Sequence, residues 1–324
     1  MSPVPADAQE WIVAARDLAH ALEKLGVGVL RLNEPLYRHM SLRIGGPAAL
    51  WVEPRSVEAL CCVIQEAKYM GLPLAVLGGG TNTCVADYGF PGVVVHLGNE
   101  TFGGIERRGS DLHVGAAAPL AELVRRAASW GLGGCEGLAG IPGQVGGAVA
   151  GNAGTRSDEG YVQIGDCVQW ARGLDENARL QQWGPDNLGF EYRNSSLSKT
   201  MVIQVGLRMR EENSEDLKKR VQDLCEYKTR TQEYRLPSAG CWFKNPKDCS
   251  AAQLIERSGL KGLKAGTVQV CPAHANFITL IEGIPRGRSD DLLGLVDQVT
   301  RRVKQDHGVE LKSEVRDLWN QRWW

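Results

Sequence analysis

No apolar run in this chain approaches the ~20 residues of a membrane-spanning helix, and no charged-then-apolar signal opens it. A cytoplasmic protein is therefore expected. Net charge is almost missing too: 37 Lys and Arg against 38 Asp and Glu leave −1 at pH 7. That balance excludes a basic surface for coating nucleic acid and an electrostatic binder of acidic membranes. The cysteines, at 61, 62, 84, 135, 167, 225, 241, 249 and 271, are odd in number and include no CxxC pair. Their scatter excludes a disulfide framework and a clustered zinc site, and each one alone reads as a small buried apolar residue. Neither a GxGxxG dinucleotide fingerprint nor a P-loop with its terminal lysine occurs. Internal repeats and low-complexity segments are also missing.

What remains is a chain of 324 residues, long enough for two domains with real cores. Residues 8–26 carry Trp11, Ile12, Ala15, Leu18, Ala19, Leu22 and Leu25 at helical spacing, with Gly26 placed to end the helix. "SVEALCCVIQEAKYMG" predicts a second helix, with Ser56 as N-cap and Gly71 at its end. Further helices are expected over "PLAELVRRAASWGLGG", over residues 214–230, over "AAQLIERSGLKG", and over "SDDLLGLVDQVTRRVKQDHG" with Ser289 as N-cap. Strands are expected in "RIGGPAALWVEP", "LPLAVLGGGTN", "GFPGVVVHLG", "DLHVGAAAPL", "TMVIQVGLRM" and "HANFITL", and as a closing strand in "VELKSEVRDLW". Charge density rises near residue 211, which marks a candidate domain boundary.

Glycine is the informative residue. "VLGGGTN" sets three glycines and two small polar residues after a buried strand. Such a loop lets backbone N–H groups close on an anion, chemistry suited to a pyrophosphate, although a tight turn explains one such loop equally well. A second stretch, "GLAGIPGQVGGAVAGNAG", is apolar between its glycines and so should be buried. A buried loop must satisfy its backbone polar groups, and a large cofactor packed on it would do so. Two such loops suggest a dinucleotide held without a Rossmann fold.

In order along the chain, "HMSLRIGGPA", "VLGGGTN", "LAGIPGQVGGAVAGNAG", "FEYRNSSL", "SAGCWFKNP", "GLKG", "HANFI" and "EVRDLW" resemble the UDP-N-acetylenolpyruvoylglucosamine reductases, the MurB family, over residues 33–319. With no long insertion after "YRNSS", the chain looks like the shorter, type II branch. The resemblance implies an α+β fold: an FAD-binding domain of the vanillyl-alcohol-oxidase (PCMH) type over 33–210 and a smaller α/β substrate-binding domain over 211–324. An N-terminal helical extension over 1–32 precedes them. It implies reduction of an enolpyruvyl ether of UDP-N-acetylglucosamine to UDP-N-acetylmuramate for peptidoglycan, with non-covalent FAD and with NADPH as co-substrate, in a monomer that binds neither nucleic acid nor membrane.

Residue by residue, the resemblance puts the FAD pyrophosphate on Gly78, Gly79, Gly80, Thr81 and Asn82. The flavin falls against Ala139, Gly140, Ile141, Pro142, Gly143, Gly146, Gly147, Asn152, Ala153 and Gly154, with Arg43 beside the cofactor. Tyr192, Lys244, Asn245, Gln269 and Asn276 match substrate-binding positions, and Arg193, Cys241 and Glu314 match the catalytic ones. The sequence departs from the family pattern at Cys241, where serine is usual, at Gly151, where methionine is frequent, and around 279–289. The "WNQRWW" tail has no family counterpart and reads as a packed or disordered end.

These residue types suit the chemistry. Hydride addition to a C=C bond conjugated to a carboxylate requires positive charge at that carboxylate, which the planar Arg193 fork supplies. Glu314 would repel there unless protonated or used to orient another donor. Protonation of the adjacent carbon requires an acid, and a Cys241 thiol near pKa ~8.5 is a better one than serine, unless Lys244 draws it to thiolate. The rival reading is an FAD-dependent oxidase or dehydrogenase of the same superfamily acting on another sugar or alcohol, with flavin tethered through His39, Cys84 or Cys135.

Overall fold

The computed structural model describes residues 6–157 and 160–323, so the last tryptophan of the tail, Trp324, lies outside the described residues. Three sheets organise it. The first has the order Gly28–Pro35, Pro47–Pro54, Phe90–Val95, Leu74–Val76; its first pair is antiparallel and the others parallel. Helices Ala8–Leu25 and Val57–Tyr69 pack with it. The first helix buries Ala15, Leu18, Ala19 and Leu22, the i, i+3, i+4, i+7 stripe, and ends on Gly26 at φ +60°. The second starts on Ser56, whose Oγ accepts from Ala59 N–H at 3.1 Å. Residues 8–32 are thus no extension: their helix is in the main core and Gly28–Pro35 is a full sheet member.

A five-stranded antiparallel sheet comes next, in the order Leu180–Trp183, Val168–Leu174, Met201–Arg208, Asp111–Gly115, Ile105–Arg108. It shares one continuous apolar cluster with the first sheet, from Leu50 and Val93 to Val114 and Val205. The third sheet, Ser238–Cys241, Phe277–Leu280, Val268–Val270, Lys264–Ala265, carries helices Ala251–Arg257 and Ser289–His307 and has its own core around Phe243, Ile255 and Leu295. The charged helix Ser214–Thr231 packs against Leu120–Ser129, so it belongs with the first two sheets rather than opening the second body at 211.

Two expectations change in detail. Ser289 is the first helical residue, not the N-cap; the cap position is Arg288, and the Ser289 hydroxyl accepts Asp87 N–H at 2.9 Å. The closing strand is not continuous. Ser313 makes an isolated bridge with Phe243, Arg316–Asp317 pairs in parallel with Thr83–Cys84, and a 3₁₀ turn spans Leu318–Gln321. That route returns the C-terminal segment to the first glycine loop, with Arg316 N–H donating to Asn82 O at 3.1 Å.

Candidate active site

The two glycine loops, Arg193, Cys241, Glu314 and Arg316 meet on one cavity of about 640 Å³ between the bodies. The first loop leaves strand Leu74–Val76 and turns at Gly80, φ +60°, where a Cβ would lie 2.0 Å from His39 O. The second loop lies directly across: a Cβ on Gly79 would sit 3.2 Å from Gly143 Cα, and the Thr81 hydroxyl donates to Pro142 O at 3.4 Å. Among the described residues, no backbone N–H from Gly78 through Thr81 donates to a protein acceptor. A row of cavity-lining amides without acceptors is an anion cradle, and its residues fit a pyrophosphate.

The second loop is more ordered than its glycines suggest. Glu136–Leu138 forms a 3₁₀ turn and Val145–Ala150 an α-helix. Gly140, Ile141, Pro142, Gly143, Gly146, Gly147, Ala153 and Gly154 line the cavity, as does Arg43. Ala139 and Asn152 do not. Ala139 is buried and its carbonyl accepts from Lys228 Nζ. Asn152, fully buried, donates to Gln163 Oε1 and Glu191 O, both at 2.9 Å, and accepts Gly165 N–H at 3.1 Å. Asn152 thereby braces the segment that presents Arg193.

Arg193 sits at φ +58°, a left-handed conformation held by paired hydrogen bonds between Glu191 and Asn194 and by the Ser195 hydroxyl on Ala150 O. Its Nε lies 2.6 Å from Glu314 Oε1, with the N–H turned off the direct line. Nη1 donates to Tyr161 OH at 2.6 Å, and the guanidinium carbon stands 5.4 Å from the Tyr192 ring centre. Tyr192 is 43% exposed and does not line the cavity. Glu314 is carried by backbone pairing to Trp242 O (2.8 Å), and its own carbonyl accepts Asn82 Nδ2 at 3.4 Å, which ties the first loop to the Glu314 backbone. Burial raises the Glu314 carboxyl above its usual range against the pull of Arg193, Lys244 and Arg316.

Cys241 ends strand Ser238–Cys241, just after a left-handed Gly240. Burial, then the Glu314 carboxylate, pushes its thiol up to about 12, against Arg193 and a hydrogen bond from Asn276. The thiol is therefore protonated at neutral pH but is a weaker acid than an ordinary cysteine. Lys244 is not among the groups that move it; its charge acts on Glu314 instead.

The other expected substrate residues divide. Asn245 Oδ1 accepts Ala251 N–H at 3.0 Å at the start of helix Ala251–Arg257. Asn276 is buried and clamps the Phe243 backbone, donating at 2.8 Å and accepting at 2.9 Å. Gln269 borders a second cavity of about 770 Å³, shared in part with the first through Arg43, Arg235 and Pro237. Of the possible flavin tethers, none lines the main cavity: Cys84 and Cys135 are buried, and His39 stacks on Trp51 with its Nε2 at 2.8 Å from Glu34.

Several wall residues were not singled out in the sequence. Arg316 donates to Ala150 O at 3.3 Å; it follows Glu314 by two, and strand periodicity could have found it. Lys228 is buried in the helix Ser214–Thr231, its ammonium lowered to about 8 by burial despite Cys225 nearby and further by Arg193. It continues the Leu217, Val221, Leu224 stripe at i+11, so helical periodicity puts it on the core-facing side.

A family model described as UDP-N-acetylenolpyruvoylglucosamine reductase, C-terminal domain, matches residues 232–318, and an FAD binding domain model matches 48–184. The UDP-N-acetylenolpyruvoylglucosamine reductase of Heliobacterium modesticaldum is 38% identical over 289 residues, 88% of this chain and 89% of that protein. That of Bacillus pumilus is 32% identical over 305 residues, 92% and 97% of the two chains. The crystal structure of UDP-N-acetylenolpyruvylglucosamine reductase (MurB) from Thermus caldophilus superposes with a TM-score of 0.74 at 36% identity, covering 89% of this chain and 98% of that one.

Proposed function

Since the chain belongs to the UDP-N-acetylenolpyruvoylglucosamine reductase family, we propose an assignment of that reaction to the residues around its cavity. The protein is an FAD-dependent oxidoreductase that reduces the enolpyruvyl ether of UDP-N-acetylglucosamine to UDP-N-acetylmuramate in peptidoglycan synthesis, with NADPH as reductant. Bound FAD supplies the hydride relay, and the chain's own side chains do the rest.

The amides of residues 78–81 would receive the pyrophosphate, and the Gly140–Gly154 wall would receive the flavin without a covalent bond. Arg193 receives the substrate carboxylate on the guanidinium edge not taken by Tyr161, and Glu314 fixes the direction of that edge from the Nε side. When hydride adds to the terminal CH₂ carbon, the C=C electron pair moves toward the carboxylate and the extra negative charge develops beside Arg193. The Cys241 thiol then gives its proton to the carbon bearing the ether oxygen. The thiolate left behind is stabilised by Arg193 and regains a proton from water. Tyr192 and Lys244 flank this centre, while Asn276 and Asn245 hold the backbone that carries Cys241 and Lys244. The second cavity, lined by Arg43, Arg235 and Gln269 together with Glu233 and Glu282, opens beside the first and has the place for the uridine diphosphate.

The observation that carries this assignment is the Arg193–Glu314 pair at 2.6 Å on the same cavity wall as a protonated Cys241. Support for work in the cytoplasm comes from nine free thiols, and the −1 net charge fits a protein that binds no nucleic acid. No helix among the described residues is long and apolar enough to cross a membrane. The test is anaerobic: yellow protein mixed with NADPH should bleach, and colour should return only with the UDP-enolpyruvyl sugar. Colour returning with an unrelated alcohol-derived acceptor, but not with that sugar, would overturn the assignment.

A further inference from the structure

The tryptophan-rich tail is a built part of the molecule. Asp317 Oδ1 accepts Trp319 N–H at 3.2 Å and opens the turn Leu318–Gln321. Trp319 is wedged between Trp11 and Phe90, with ring centres 5.8 and 5.6 Å away. Arg322 lies over the Trp319 ring at 4.6 Å. Trp323 then donates its backbone N–H to Leu74 O at 2.9 Å, extending the edge of the first sheet at strand Leu74–Val76. Gln321 accepts from Arg316 Nη1 at 3.3 Å. Two tail side chains, Gln321 and Trp323, face the main cavity, and Trp323 is only 9% exposed and packs with the core of the first two sheets.

The position of that wall is set by the chain. The reacting groups Cys241 and Glu314 come from the second body, so the redox ring must lie toward it. The amide cradle at 78–81 follows directly on strand Leu74–Val76, whose Leu74 carbonyl accepts the Trp323 N–H. The half of an FAD beyond its pyrophosphate must then run along the wall made by the first two sheets, where Val76, Leu97, Val202 and Trp323 line the cavity. An indole there offers a rigid π-face of the size of a purine. We propose that Trp323 is a cofactor-binding residue supplied by the tail, against which the adenosine half of FAD packs. The inference rests on the flavoprotein reading and adds a contact outside the family's motifs.

The test is a series on apo-protein refilled with FAD, Trp323→Phe and Trp323→Leu against wild type. Both replacements keep apolar volume in the core, but only Phe keeps a π-face. Affinity for FAD, read from flavin fluorescence, should fall in the order Trp, Phe, Leu, with Leu weaker than wild type by on the order of 10- to 100-fold. The absorption spectrum of the flavin that does bind should stay unchanged, because the redox ring is elsewhere. Melting of the apo-proteins should be alike for Phe and Leu. Equal FAD affinity for Phe and Leu, a loss that simply tracks apo-protein melting, or a shifted flavin spectrum would each overturn the inference. If Leu does not fold, the Phe variant decides: several-fold weaker FAD with an unshifted spectrum supports it, and unchanged affinity refutes it. Wild-type protein that takes up no FAD would instead refute the flavoprotein reading.

Discussion

Removing the sulfur of Cys241 should separate the two halves of the catalytic cycle. Cys241→Ala takes away a proton donor that acts only on the substrate, so reduction of the bound flavin by NADPH should stay near wild type while overall turnover falls at least ~100-fold, the usual lower worth of general acid catalysis. Cys241→Ser should keep much of the activity, since a hydroxyl can take the same place. The burial of Cys241 and the Glu314 carboxylate beside it favour the protonated thiol behind this expectation. With the thiol pushed up to about 12 by burial and the Glu314 carboxylate, only about 1 in 10,000 is thiolate at pH 8, against roughly a quarter for an ordinary cysteine. Thiolates of higher pKa are intrinsically more reactive, with a slope of about 0.45 per unit, which recovers roughly 40-fold of that roughly 2,400-fold deficit. The net is attack on a small aromatic disulfide about 60-fold slower than by a free cysteine, before access is counted. The raised value keeps the donor form present throughout the neutral range and removes it only as pH climbs toward 12, so no descending limb from this thiol should appear below about pH 10. Stopped-flow absorbance gives the two half-reactions, and mass spectrometry after timed labelling gives the rate at Cys241 among the nine thiols. Glu314→Gln should speed that labelling, because it removes the carboxylate that holds the thiol up. Wild-type turnover in Cys241→Ala, or labelling of Cys241 as fast as a free thiol, would refute the reasoning.

Replacing Gly79 by valine should give colourless protein with a near-normal fold, since a Cβ there already meets Gly143 Cα at 3.2 Å across the cradle; full flavin occupancy would refute the cradle. Arg193→Lys and Glu314→Gln should each slow reoxidation of the flavin by substrate far more than its reduction by NADPH, because their work is on the charge that develops on the substrate. Equal slowing of both steps would point to a structural role. NADPH and the sugar should use the same cleft in turn, giving parallel initial-rate lines and inhibition at high substrate; intersecting lines would refute shared use.

The glycine loops and most helices were legible in the sequence because their cues are local, while Arg193, Cys241 and Glu314 were marked by resemblance and meet on one cavity. Ser56 and Gly26 announce helix ends by their own side chain or lack of one. The helix Val145–Ala150 was not legible: two of its six residues are glycine, a poor helix former, and it is held by packing on Ala116. The near-211 boundary misled because charge density tells which face is wet, not which core a helix covers; Leu217 and Lys228 of Ser214–Thr231 are buried on the first body. Asn152 and Asn276 lie in motifs and so look like ligand contacts, yet their amides hold backbone. Only a structure separates a motif residue that touches the ligand from one that braces its neighbour. The closing strand broke for a related reason, since Arg316–Asp317 follows the glycine loop as its partner rather than the hydrophobic alternation of its own segment.

The return of the C-terminal segment to the first loop has a kinetic meaning. Asn82 and Glu314, joined by a side-chain hydrogen bond, are 232 residues apart, and Arg316 reaches back 166 residues to Ala150. Contacts of such sequence separation form late, because most of the chain's entropy must already be lost before they reward closure. Arg193 stands on the first body and Glu314 is held by Trp242 of the second, so the two meet only when both bodies are docked. A half-folded chain therefore lacks the Arg193–Glu314 pair, and the competence to deliver a hydride productively becomes a property of the finished molecule alone.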